Sequence, residues 1–118
     1  MTEGKIKVVY KEPGKAAEIK EIPNNLYTLQ ELVGGYIQAV TIPYGEERTL
    51  VLICDEEGKL KIKQQPNIYS EYLQDVICGP IIIVGENGED FGSIAEQDAQ
   101  VICDNLNRSL GDTARSCV

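Results

Sequence analysis

Residues 81–85, IIIVG, limit this chain's folding choices more than any other stretch. Three isoleucines and a valine in a row offer no polar side. A strand made of them must be covered on both faces. Their β-branched side chains fit a pleated strand and crowd a helix. The block is therefore expected at the centre of a sheet. Residues 49–54, TLVLIC, have the same character and are expected as a second strand with two covered faces.

The remaining segments must supply the cover. Residues 5–10 and 16–22 alternate in polarity around Pro13-Gly14, which predicts a hairpin. Pro23, Asn24 and Asn25 break the pattern. Leu26, Leu29 and Leu32 or Val33 then recur at helical spacing, and Gly34-Gly35 ends that helix. Thr28 with Glu31 has the spacing of a capping box, and Asn25 competes as N-cap. Residues 36–42 read as a strand, 43–48 as a loop, and 60–63 (LKIK) as a strand after the tight turn DEEGK. Tyr69, Leu73, Val76 and Ile77 share a helical face, with Gly79-Pro80 as its stop. Ser93 and Glu96 form a capping box for a last helix over residues 93–110. The predicted order is β-β-α-β-β-β-α-β-α. It gives an α+β fold: a single small domain over 1–110, with a mixed, mostly antiparallel sheet and two or three helices. A polar, frayed tail is expected over 111–118.

Charge and residue types narrow the function. The net charge of −8 argues against direct nucleic-acid binding, which needs Lys and Arg to displace counterions. It permits a basic partner or mimicry of a nucleic-acid surface. No apolar run approaches a membrane span and the N-terminus lacks a signal-peptide core, so a cytoplasmic protein is expected. With no histidine in the chain, Ser-His and Cys-His nucleophile pairs are impossible. The carboxylate pairs Glu46/Glu47, Asp55/Glu56 and Glu89/Asp90 read as solvated loop charges, so no enzyme activity and no catalytic residue are expected. Cys54, Cys78 and Cys103 sit in apolar stretches as buried small hydrophobes. No cysteine pair has CxxC spacing, so neither a metal nor a cofactor is expected.

The segment GENGEDFG poses the sharpest question. Its glycines, Gly85, Gly88 and Gly92, match neither the dinucleotide fingerprint nor the P-loop. Glu86, Glu89 and Asp90 would oppose a phosphate, yet they suit the N-terminal dipole of a following helix. A turn leading into a helix is the structural reading, and a functional loop is the alternative. Calcium ligation fails on spacing, both here and at Asp55–Gly58.

Four stretches, YKEPGKAAEIKEI, LQELVGGYIQAV, LVLICDEEGKL and GPIIIVGENGEDFGSI, occur in that order. Together they resemble the DUF3846 family, small proteins of bacteriophages, plasmids and Gram-positive mobile elements with no assigned activity. The resemblance spans Lys5 to Leu106. Gly34-Gly35-Tyr36 and the run from Gly85 through Glu89-Asp90-Phe91 are its most specific pieces, and it sets Asn67 against a family asparagine. It implies a mobile-element setting, in which accessory and host-antagonising genes are common. The expected function is non-enzymatic binding: counter-defence by sequestering a host protein or a small anionic signalling molecule, with a homo-oligomer completing a pocket. The rival expectation is an acidic protein-binding regulator or nucleic-acid mimic. Tyrosines are frequent, and Arg48 shares its loop with Tyr44. Tyr36, Arg48, Glu89, Asp90 and Phe91 are the expected binding residues.

Overall fold

The computed structural model describes residues 4–45, 48–58, 65–70, 73–87 and 90–108. The expected strand at 60–63 and the tail at 111–118 lie outside the described residues. Ten elements follow in order: β1 (Lys5–Lys11), β2 (Glu18–Pro23), α1 (Leu26–Val33), β3 (Ile37–Pro43), β4 (Thr49–Asp55), β5 (Pro66–Ser70), β6 (Asp75–Cys78), β7 (Ile81–Asn87), β8 (Asp90–Gly92) and α2 (Glu96–Arg108).

The main sheet runs β2-β1-β7-β4-β3, with β8 paired to the far end of β7, and every neighbouring pair is antiparallel. The IIIVG block is the middle strand, and alternation divides it between two cores. Ile82 and Val84 join Ile6, Val8, Tyr10, Val51 and Ile53 beneath α1, through Leu29 and Val33. Ile81 and Ile83 join Val9, Leu50, Leu52 and Cys54 on the other face. There Ala99, Ile102 and Cys103 of α2 cover one part, and Ile68 and Ile77 of the β5–β6 hairpin cover another. A strand serving two cores has no position for a polar residue, which explains the block's composition.

α1 resolves the competition at its start. Asn25 Oδ1 accepts the Thr28 N–H at 2.8 Å, so Asn25 is the N-cap and Thr28 lies inside the helix. Gly34 ends the helix at φ 87°, left-handed backbone that glycine adopts without a Cβ clash.

The expected middle helix is a hairpin. β5 and β6 pair Ile68 with Ile77, Tyr69 with Val76 and Ser70 with Asp75, and Gln74 takes φ 53° in the turn. Helical spacing had grouped Tyr69, Leu73, Val76 and Ile77, but Tyr69 is 52% and Leu73 38% exposed. The buried pair is Ile68 and Ile77, which meet only across a hairpin and can close over the sheet face. In so short an apolar segment, periodicity does not separate helix from strand; tertiary cover does.

The last helix also starts later than its capping box predicts. α2 begins at Glu96. Ser93 Oγ instead accepts the N–H of Lys7 at 2.9 Å, and the Ile94 N–H donates to Lys7 O at 2.9 Å. Ser93 and Ile94 thus run beside β1. The expected passage from turn to helix contains a return strand, β8, before the helix begins.

Candidate functional site

The five expected binding residues are not gathered in one place. Tyr36, 69% exposed, precedes β3, where the Glu56 N–H donates to Tyr36 O at 2.9 Å. The β3–β4 ladder runs from Ile37↔Asp55 to Pro43↔Thr49. Tyr44, which faces Arg48, lies eight strand steps from Tyr36, so Tyr36 is on the order of 25 Å from Arg48. Arg48 is already engaged. Its Nη1 lies 3.0 Å from Asp98 Oδ2 on α2, and its guanidinium carbon lies 5.0 Å from the Tyr44 ring centroid. Asp90 and Phe91 lie on β8, near Arg48's end of the sheet, where Thr49 Oγ1 donates to Glu86 and Glu86 pairs with Phe91. Phe91 packs towards the α1 core, so it faces away from Arg48 and α2. Glu89 lies outside the described residues.

Among the described residues, one cleft opens at each end of the sheet. The first holds about 320 Å³. Gln38 and Val40 of β3, the turn Asp55–Gly58 after β4, and Leu73 with Asp75–Cys78 of the hairpin enclose it. Its floor is apolar, because Cys54 and Ile77 are buried and Val40 and Val76 half-buried. Its rim is acidic: Glu56, Glu57 and Asp75 are exposed, while Asp55 is buried and accepts the Glu57 N–H at 3.0 Å. Among the described residues, the lining contains no Lys or Arg. The second cleft, about 350 Å³, lies under the β7–β8 hairpin and is lined by Lys5, Asn24, Glu86, Asn87, Phe91 and Ser93. Asn24 Nδ2 donates to Phe91 O at 3.1 Å and fixes one wall.

The first cleft exists because the β5–β6 hairpin is pinned to the sheet by a buried polar knot. Lys11 and Asn67 are each 1% exposed. Lys11 Nζ donates to Asn67 Oδ1 at 2.6 Å. Asn67 Nδ2 donates to Lys11 O at 2.9 Å and to Gly79 O at 2.8 Å. Burial pushes the Lys11 ammonium below the usual lysine range. Sequence reading missed this pair: Lys11 falls just past the strand read over residues 5–10, in the turn segment around Pro13-Gly14, and the family's asparagine was the one available signal.

Nucleophile chemistry has little support in these side chains. Burial pushes the Cys54 and Cys103 thiols up, with Asp55 adding to the first and Asp104 and Glu18 to the second. Such thiols stay protonated and inert. Cys54, Cys78 and Cys103 are free, and among the described residues no three His, Cys, Asp or Glu side chains are grouped to hold a metal. No helix among them is long and apolar enough to cross a membrane.

Searches among curated proteins and among solved structures each returned no match. A family model does match, described as a domain of unknown function, and it takes in residues 6–107 of the 118. The chain belongs to the DUF3846 family.

Proposed function

We propose that the chain is a non-enzymatic binding protein that sequesters a host protein, engaging it through the cleft between β3 and the β5–β6 hairpin. What supports this is the cleft's make-up: an apolar floor of Val40, Cys54 and Ile77 inside an acidic rim of Glu56, Glu57 and Asp75. An apolar side chain flanked by Lys or Arg fits such a surface, and the net charge of −8 steers a basic partner towards it. A phosphate-bearing ligand meets three exposed carboxylates there and is disfavoured. The mobile-element setting implied by the family resemblance makes the host partner a component of a defence system, and the action counter-defence.

A second reading keeps a small anionic signalling molecule as the target. It is favoured by Lys5, Asn24, Asn87 and Ser93 in the cleft under β8, where Glu86 is the opposing charge.

Native mass spectrometry separates the two. The protein is purified gently from bacterial cells with an active defence response, as wild type and as Glu56→Lys/Asp75→Lys. A bound host polypeptide that the double variant loses supports the cleft reading. A few hundred daltons of small molecule on both forms would move the function to the second cleft. Bare wild-type protein counts against both readings.

A further inference from the structure

The two edges of the main sheet are unlike. β2 carries Glu18, Lys20 and Glu21 and ends at Pro23, all of which discourage another strand. β3, IQAVTIP, has no charged residue over seven positions, and among the described residues β4 is its only strand partner.

Backbone bonds show which groups of β3 face outwards. The Tyr44 N–H donates to Arg48 O and the Glu56 N–H to Tyr36 O, both at 2.9 Å. Bonded pairs alternate along an antiparallel ladder. Tyr36, Gln38, Val40, Ile42 and Tyr44 therefore turn their backbone groups to β4, and Ile37, Ala39 and Thr41 turn theirs away. The outward ladder stops at equal distances from Ala39. Pro43, four residues on, has no N–H, and Gly35, four residues back, has given its N–H to Gln30 O at 3.1 Å.

That symmetry suits a second copy of the same strand. An antiparallel copy centred on Ala39 sets stop against stop and pairs Ile37 with the second copy's Thr41, making about six new backbone hydrogen bonds. The same register sets Gln38 opposite Val40, and exposed Tyr36 opposite half-buried Ile42, at the separation where cross-strand side chains pack. Ala39 meets Ala39 at the axis. No charged side chain of either strand enters the contact, although each chain carries −8.

We propose that β3 is the interface of a symmetric homodimer, joining two sheets into one continuous sheet. Gln38 and Val40 also line the hairpin cleft, so the two clefts of the dimer open side by side on the same face. The dimer forms without any ligand, and its test is independent of what the clefts bind.

Sedimentation equilibrium of the full chain reads the outcome. Wild type is expected at twice the chain mass. Thr41→Pro deletes one outward N–H per copy and leaves the β4 ladder intact, because that N–H faces away from β4. Losing two symmetric hydrogen bonds weakens self-association by roughly 30-fold or more. Ala39→Lys, which sets two ammonium groups against each other at the axis, has the same direction. It decides the matter alone if circular dichroism shows Thr41→Pro unfolded. A wild-type monomer at about 0.1 mM, or dimers persisting in both folded variants, would overturn the proposal.

Discussion

Asn67→Leu should be among the most damaging single changes in this chain, although it exchanges a polar side chain for an apolar one of similar size inside a core. The asparagine makes three buried hydrogen bonds: it accepts from Lys11 Nζ and donates to the carbonyls of Lys11 and Gly79. Leucine makes none. Each neutral group left unpaired costs roughly 1–3 kcal/mol, and an uncompensated buried charge costs more. Among the described residues Lys11 keeps only the Glu12 carbonyl, at 3.5 Å. The sum is roughly 4–6 kcal/mol, against a total stability of about 5–15 kcal/mol for a domain of this kind. Lys11→Met should be milder. It removes the desolvated ammonium together with its donor and leaves one Asn67 oxygen unpaired, a loss of about 1–2 kcal/mol. Urea unfolding of wild type, both single variants and the double variant measures these values as shifts in midpoint at constant slope. An Asn67→Leu loss under 1 kcal/mol, or a Lys11→Met loss exceeding it, would refute the reasoning.

The same knot predicts a pH signature. Burial lowers the Lys11 pKa in the fold. Between that folded value and the model 10.5, the unfolded chain holds the extra proton, so this group's contribution to stability rises with pH through that window. Cys54 and Cys103 act oppositely: their folded pKa values lie above 9.0, so stability they supply below 9.0 is lost as pH climbs through the folded values. Wild-type stability minus that of Lys11→Met, followed by urea unfolding from pH 7 to 10.5, should therefore increase with pH; a flat difference would show that the ammonium is not desolvated. Gly85→Ala should cost about 1–3 kcal/mol in thermal unfolding, as for other overpacked sites, because a Cβ there would sit 2.5 Å from Ser93 O, a backbone atom of the segment that must pass β7. A Gly85→Ala melt within a degree or two of wild type would mean that Ser93 and Ile94 move aside freely.

How much of this was legible in the sequence depended on whether a segment's neighbours were local. β1, β2, α1, β3, β4 and β7 were readable because each carries its own period and its own stop: Pro13-Gly14 between two strands, Asn25 and Gly34 around a helix. The β5–β6 hairpin was not, because its pattern fits two periods and the choice rests on the sheet face that Ile68 and Ile77 cover. Ser93 misled for a related reason. Its hydroxyl is a cap by spacing, but Lys7, 86 residues away, takes it first. The site was less legible still. Tyr36 and Phe91 stand out singly in the sequence, yet the sheet sends them to opposite ends. The hairpin cleft draws on three segments, one of which was read as a helix.

On the proposed reading, that cleft ties stability to binding. Among the described residues the β5–β6 hairpin is a separate two-stranded sheet, with no ladder to the main one. It is held by the burial of Ile68 and Ile77, by Asn67 reaching Lys11 and Gly79, and by the close approach of Gly58 to Cys78, where an added Cβ would lie 2.6 Å from the Cys78 carbonyl oxygen. A unit held at a few anchor points is expected to open before the rest of the fold. Polar knots of this kind are positionally demanding, since hydrogen bonds to Lys11 and Gly79 are satisfied in one placement of the hairpin and lost in others, whereas isoleucines tolerate sliding. The knot therefore sets where Asp75, Val76 and Ile77 stand against Gln38 and Val40, and so the width of the cleft. In Asn67→Leu the hairpin amides should lose hydrogen-exchange protection while those of β7 keep theirs, and partner binding at the cleft should fall even at temperatures where the sheet remains folded.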